Sequence, residues 1–229
     1  MGSDKKQTIE DGALLTSVAL ELRLPLLQIK TALQLGLPDK TLVRQMADSV
    51  DSGLRLIEAY SLATSLYQQH QLPLEPVSIG GVMEEVTHEL QSFAAAYDTG
   101  LQLSLPRSLQ PVIAHRRGLL AAFNCLTQAM IRAQPGCKLV LGAHRTGSRV
   151  MAGVFGLQTP FANHMLKEAR QLTGRARQPL PRLATEAASG ILVADQLFVS
   201  IAEPLSVASF KAQRGLVTHF KPSQQLALV

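Results

Sequence analysis

The residues best equipped for nucleophilic or metal chemistry are the histidines and cysteines, and their spacing offers little of either. His115, His144, His164 and His219 are scattered, with no pair at metal-ligand spacing. Cys125 and Cys137 form no CxxC or Cys/His cluster and are too few for a disulfide scaffold. His88-Glu89-Leu90 falls inside an expected helix, where a partly exposed histidine is the plain reading. Asp195 follows Ser189-Gly190 on another expected helix and reads as a surface or capping charge. One stretch is dense in charge: Lys167, Arg170, Arg175, Arg177 and Arg182 stand against Glu168 alone in 167–182. Such a segment is either a solvated loop or a guide for an acidic protein surface. Nucleic acid is a weaker rival, because the chain is 4% aromatic and shows no nucleic-acid module.

The 229 residues suffice for a sizeable core, and 46% are hydrophobic against 17% charged. Charge divides unevenly. Residues 1–78 hold 7 basic and 9 acidic residues, or −2; residues 79–229 hold 15 and 8, or +7. That asymmetry points to two units with different surfaces. No apolar run reaches the roughly 18 residues of a membrane span. The start, MGSDKKQTIEDG, lacks the apolar centre of a signal peptide. A soluble, cytoplasmic protein is the expectation.

Residues 1–12 read as a flexible N-terminus. From Ala13, Leu15, Val18, Leu22, Leu26, Ile29 and Leu33 repeat at steps of three and four, a helical seam. Gly36 and Pro38 end that helix and Asp39 can cap the next. A second seam runs through Val43, Met46, Val50, Leu54, Ile57 and Ser61. Residues 13–72 thus form an αα-hairpin whose core is completed by dimerisation into a four-helix bundle. QLPLEPVS (71–78) is a linker. Residues 73–229 read as an α/β layer. Its expected elements are helices at 79–97, 116–133, 161–173 and 189–201, strands at 101–105, 111–114, 138–144, 149–155, 205–210 and 215–220, and a basic loop at 174–188.

Residues 17–26, Ser-Val-Ala-Leu-Glu-Leu-Arg-Leu-Pro-Leu, resemble the phospho-acceptor box of sensor histidine kinases, His-Glu-Leu-Arg-Thr-Pro-Leu. Glu21, Leu22, Arg23, Pro25 and Leu26 match it. A proline inside a helical heptad is unusual, which makes the match more specific. The order of parts also resembles that family over 13–221. It implies an α+β fold class: an N-terminal helical hairpin forming a dimeric four-helix bundle, then a Bergerat-type ATP-binding α/β sandwich.

The resemblance breaks where the family does its chemistry. The acceptor histidine is Leu20, and the threonine used in dephosphorylation is Leu24. Asn124-Cys-Leu-Thr-Gln128-Ala129 resembles the Asn-Leu-x-x-Asn-Ala box, with Gln128 at the amide that holds Mg²⁺. Mg²⁺ demands near-ideal octahedral geometry, so the longer side chain displaces a ligand. Gly156 stands where the adenine-binding Asp-x-Gly box should follow a strand, and no Asp occurs between Asp98 and Asp195. Gly190 is what remains of the glycine-rich phosphate box. Phosphoryl transfer rests on positioning and charge neutralisation. The four losses together therefore imply a catalytically inactive, pseudokinase-like protein with no cofactor and no metal, Asn124, Gln128, Gly156 and Gly190 being vestigial.

Such a protein would act by contact, as an adaptor or regulator in two-component or related signalling. Its partners would be a second copy through the hairpin and a protein such as a response-regulator receiver domain, without nucleic acid or membrane. Leu20, Leu24 and Leu27 lie opposite the first seam and give that helix a second apolar stripe. With Arg170, Arg175 and Arg177 they are the candidate interaction surface, unless the stripe packs within the chain. Two alternatives stay open: an atypical histidine kinase or phosphotransferase that keeps nucleotide and uses His88, and a nucleic-acid-associated regulator working through the basic loop.

Overall fold

The computed structural model describes residues 26, 27, 29, 40–68, 72–157, 162–172 and 188–223. Leu26, Leu27 and Ile29 are helical. Leu20, Leu24, Arg175 and Arg177 lie outside the described residues, as do residues 174–187 of the loop expected at 174–188.

A long helix, α1 (Lys40–Gln68), comes first. The strand β1 (Glu75–Val77) pairs antiparallel with β3 (Val112–Ala114) in a two-stranded sheet. Two helices follow β1, α2 (Ile79–Glu89) and α3 (Gln91–Ala96), where the sequence predicts one over 79–97. The break is Leu90, whose ψ of 4° leaves helical geometry while its side chain is fully buried. The main sheet holds β2 (Gly100–Ser104), β4 (Lys138–Thr146), β5 (Arg149–Gly156), β6 (Ser206–Phe210) and β7 (Gln213–Phe220) in the order β2-β4-β5-β7-β6. Only β2 and β4 run parallel; the other pairs are antiparallel. Between these strands lie α4 (Arg116–Ala133), α5 (Asn163–Leu172) and α6 (Ala188–Ile201).

Local chemistry sets several boundaries. Ser78 caps α2 by accepting from the Gly81 N–H. His115 caps α4 in the same way, its Nδ1 accepting from the Gly118 N–H at 3.0 Å. A histidine that looked idle in the sequence is thus a helix cap. The β4–β5 turn places Gly147 at φ 60°, a region that costs glycine nothing.

The main core lies between the helices and the sheet, around the fully buried Phe123, Phe198 and Phe220. Phe123 and Phe198 meet edge to face at 5.1 Å. The same core includes Leu56, Ala59, Ala63 and Leu66 of α1. The linker therefore separates two stretches of chain but not two cores. The seam expected on α1 turns the other way: Val43, Val50, Leu54 and Ile57 are 38–52% exposed. Among the described residues, no helix is long and apolar enough to cross a membrane.

Candidate functional site

The four pocket positions singled out in the sequence gather around the C-terminal half of α4. Asn124 and Gln128 stand one turn apart on that helix, so both project to one side. Gly190 opens α6 at its contact with α4: a Cβ there would lie 3.1 Å from Ala129 Cβ and 3.2 Å from the Cys125 carbonyl. Gly156 ends β5, where a Cβ would come within 2.6 Å of Gln134 Oε1 and 2.9 Å of Leu139. Both glycines thus have a packing reason to be glycine. Gly190 lets two helices approach, and Gly156 receives the Gln134 amide.

Polar atoms around Gln128 are already engaged. Gln128 is buried, and its Oε1 accepts from the buried Ser52 hydroxyl at 2.9 Å. The Arg132 guanidinium donates to the same Ser52 oxygen and lies 5.6 Å from the Phe93 ring centre. This knot ties α1 to α4 at one end of the apolar face made by Leu56, Ala59, Ala63 and Leu66. Asn124 donates from Nδ2 to Glu89 Oε2 at 3.0 Å, while its Oδ1 is buried without a hydrogen-bond partner.

This donor set suits a divalent cation poorly. The carbonyl at the expected ligand position serves a hydroxyl, a permanent cation stands one turn away, and the carboxylate bonded to the group, Glu89, takes an amide on the exposed side. Among the described residues, no three of His, Cys, Asp and Glu are grouped to hold a metal.

One arginine of the basic stretch, Arg170, is engaged within the fold. Arg170 forks onto Asp195, with Nε to Oδ2 and Nη2 to Oδ1 both at 2.7 Å, and also donates to the Leu205 carbonyl. Asp195 is not a surface or capping charge: its side chain is 5% exposed and also accepts from the Leu205 N–H at 2.8 Å. A bidentate, fully hydrogen-bonded pair is what makes a buried carboxylate tolerable. With Asn163 Oδ1 accepting from the Val207 N–H, it fastens α5 to α6 and to the free edge of β6. Leu27 is 45% exposed. His88 is exposed on α2.

Ser52 and Arg132 were absent from the sequence candidates. A signal existed: Ser52, Leu56, Ala59, Ala63 and Leu66 repeat at steps of 4, 3, 4 and 3. That second seam lies opposite the first and is muted by its small residues.

No protein-family model matches the chain, and no curated protein matches it. Solved structures do. The histidine kinase AdeS of Acinetobacter baumannii superposes with a TM-score of 0.58 at 18% identity, covering 89% of this chain and 98% of that one. Histidine kinase ThkA, in complex with the response regulator protein TrrA, gives 0.58 at 11% identity, over 91% of this chain and 61% of that one. Full-length ShkA in complex with AMPPNP gives 0.56 at 14%, over 94% and 44%. The chain has the fold of histidine kinase catalytic domains.

Proposed function

We propose that this chain is a histidine-kinase-like protein that works by protein–protein contact, as an adaptor or regulator in a two-component or related pathway, and does not transfer phosphate. One observation carries the reading. The side chain at the metal-holding position, Gln128, is buried against Ser52 of α1, with the Arg132 guanidinium on the same hydroxyl. Binding a Mg²⁺–nucleotide there would require breaking that knot and bringing a divalent cation beside a fixed positive charge. Leu20, at the acceptor position, supplies no nucleophile.

Two kinds of partner fit. A second copy would cover the exposed stripe of α1, as the heptad spacing of Val43, Val50, Leu54 and Ile57 favours. A receiver domain of a response regulator is the other, by analogy with ThkA, whose structure is in complex with the response regulator protein TrrA. The test is incubation of the purified chain with ATP and Mg²⁺. The expected result is no thermal stabilisation and no acid-labile phosphate; both signals together would overturn the proposal.

One observation favours the alternative that nucleotide is still bound. Asn124 Oδ1 is buried and unpartnered, an acceptor left for something. Thermal stabilisation by ATP without phosphate incorporation would support that second reading.

A further inference from the structure

A second, smaller cluster of Val140, Met151, Phe155 and Val217 lies apart from the main core. Phe155 and Val217 are fully buried in it. What covers them comes from the β6–β7 hairpin. The Phe210 ring lies 5.2 Å from the Phe155 ring and stacks on the His144 ring at 4.8 Å, only 15° from parallel. Lys211 Nζ donates to Ser104 Oγ at 3.0 Å and sits 5.1 Å from the Phe210 ring centre.

These contacts require an unusual path. Ser104 is on β2, at one edge of the sheet, and Phe210 ends β6, at the opposite edge. In a flat sheet those edges stand about 19 Å apart, four strand spacings of roughly 4.8 Å. The turn must therefore arch back across the sheet. Glycines clear the way. A Cβ on Gly142 would lie 3.3 Å from the Phe155 ring and 3.5 Å from the Phe210 ring, and one on Gly215 only 2.5 Å from Phe155. Register pairs Phe210 with Gln213, so Lys211 and Ala212 form the two-residue turn. Both take positive φ, 47° and 64°, without being glycine. This is the conformation that twists a hairpin most, and it is disfavoured for these residues. A strained turn persists only where its surroundings hold it, and here the Phe210 ring between Phe155 and His144 and the Lys211–Ser104 hydrogen bond do the holding.

We propose that this turn is an acid-released strap, held across the sheet by its stack on His144 and freed when that imidazole takes up a proton. His144 Nδ1 is buried without a hydrogen-bond partner. A neutral ring tolerates that as an unused acceptor; an imidazolium must donate from both nitrogens. The charged groups around His144 also oppose a second cation. On β7, His219 belongs to the same cross-strand row, both histidines pairing with Met151 of β5. On the strap, Lys211 already occupies the Phe210 ring. On β4 itself, Arg145 is adjacent, its Nε donating to the Gly147 carbonyl. The carboxylate on the His219 side, Glu203, is taken up by Arg149 and lies 3.9 Å from His219 Nδ1. From β2 comes only the neutral Ser104.

Burial, and after it the neighbouring His219, hold the His144 imidazole below its usual 6.5. The closed strap therefore binds fewer protons than the open one. Closure is fully favoured above about pH 6.5 and weakens as pH falls below it, by at most about tenfold per pH unit for a single linked proton.

Amide hydrogen exchange of the full chain, corrected for intrinsic rates, tests this. Between pH 7.5 and 5.5, protection at residues 207–214 should fall several-fold while α4 stays protected. His144→Phe keeps a stacked ring without a proton and should remove the pH dependence. His144→Asn, which cannot titrate either, should do the same with a looser strap. His219→Gln removes a like charge from beside the imidazolium of the closed strap, so it should weaken the loss of protection on acidification. Equal loss of protection in α4, a pH-independent wild type, or pH dependence retained in both His144 variants would overturn the proposal.

Discussion

The two faces of α1 have nearly the same grammar and opposite fates. Val43, Val50, Leu54 and Ile57 repeat as a coiled-coil seam should, and they face out. Ser52, Leu56, Ala59, Ala63 and Leu66 repeat with the same steps, are smaller and more polar, and are buried. Hydrophobicity alone would choose the first face for burial. What favours the second is fit. Alanine at 59 and 63 lets α1 approach closely, Leu66 reaches Gly118 at the start of α4, and Ser52 finds Gln128 and Arg132 at the other end. The face that packs best within the chain is used there, leaving the more apolar one exposed.

The strongest way to break this comparison is to truncate the inner face. Leu56→Ala and Leu66→Ala should each cost about 2–5 kcal/mol of unfolding free energy by denaturant titration, the range for buried leucines. A cost below 1 kcal/mol for both would mean that α1 is only loosely seated. The Arg170–Asp195 pair gives a yardstick for polar ties elsewhere in the body. Arg170→Met leaves a buried carboxylate without its cation and should cost about 3 kcal/mol, at the lower end for buried pairs because Arg170 keeps some solvent contact. A cost near zero would place that carboxylate in water.

The body of the fold was legible because its signals were local. Apolar runs on either side of Thr146-Gly147-Ser148 mark the β4–β5 hairpin, and Pro135-Gly136 marks the end of α4. Fold class followed from the order of elements. Burial of polar residues was not legible. Asp195 looked like a surface charge because its partners, Arg170 and the Leu205 backbone, lie 25 and 10 positions away. Gln128 stood out for its place in the asparagine box, but its engagement by Ser52 spans 76 positions and leaves no mark in either local pattern. The strap was equally hidden: a two-residue turn without glycine is a poor hairpin signal, and its partners on β2 and β4 are distant in the chain.

A smaller effect separates the knot from the apolar contact around it. Ser52→Ala removes the hydroxyl that Gln128 and Arg132 share, leaving a buried carbonyl without its donor. The expected cost is about 1–3 kcal/mol. It should also free the Gln128 carbonyl, so the variant is the one most apt to gain stabilisation from ATP and Mg²⁺. Gained stabilisation would make the knot a barrier to nucleotide. An unchanged response, with the stability loss present, would mean that the knot is not what keeps nucleotide out.

The least effect is expected on the outer face, and there its form matters more than its size. Leu54→Ala and Ile57→Ala should change stability by less than about 0.5 kcal/mol in dilute solution, since both side chains are already in water. If a second copy covers them, wild-type melting temperature rises with protein concentration, because association stabilises by mass action. The two substitutions should then abolish that dependence while leaving the dilute value in place. A concentration-independent melting temperature, with light scattering reporting a monomer throughout, would assign the stripe to a different molecule and leave the inner face as the sole structural use of α1 within the described residues.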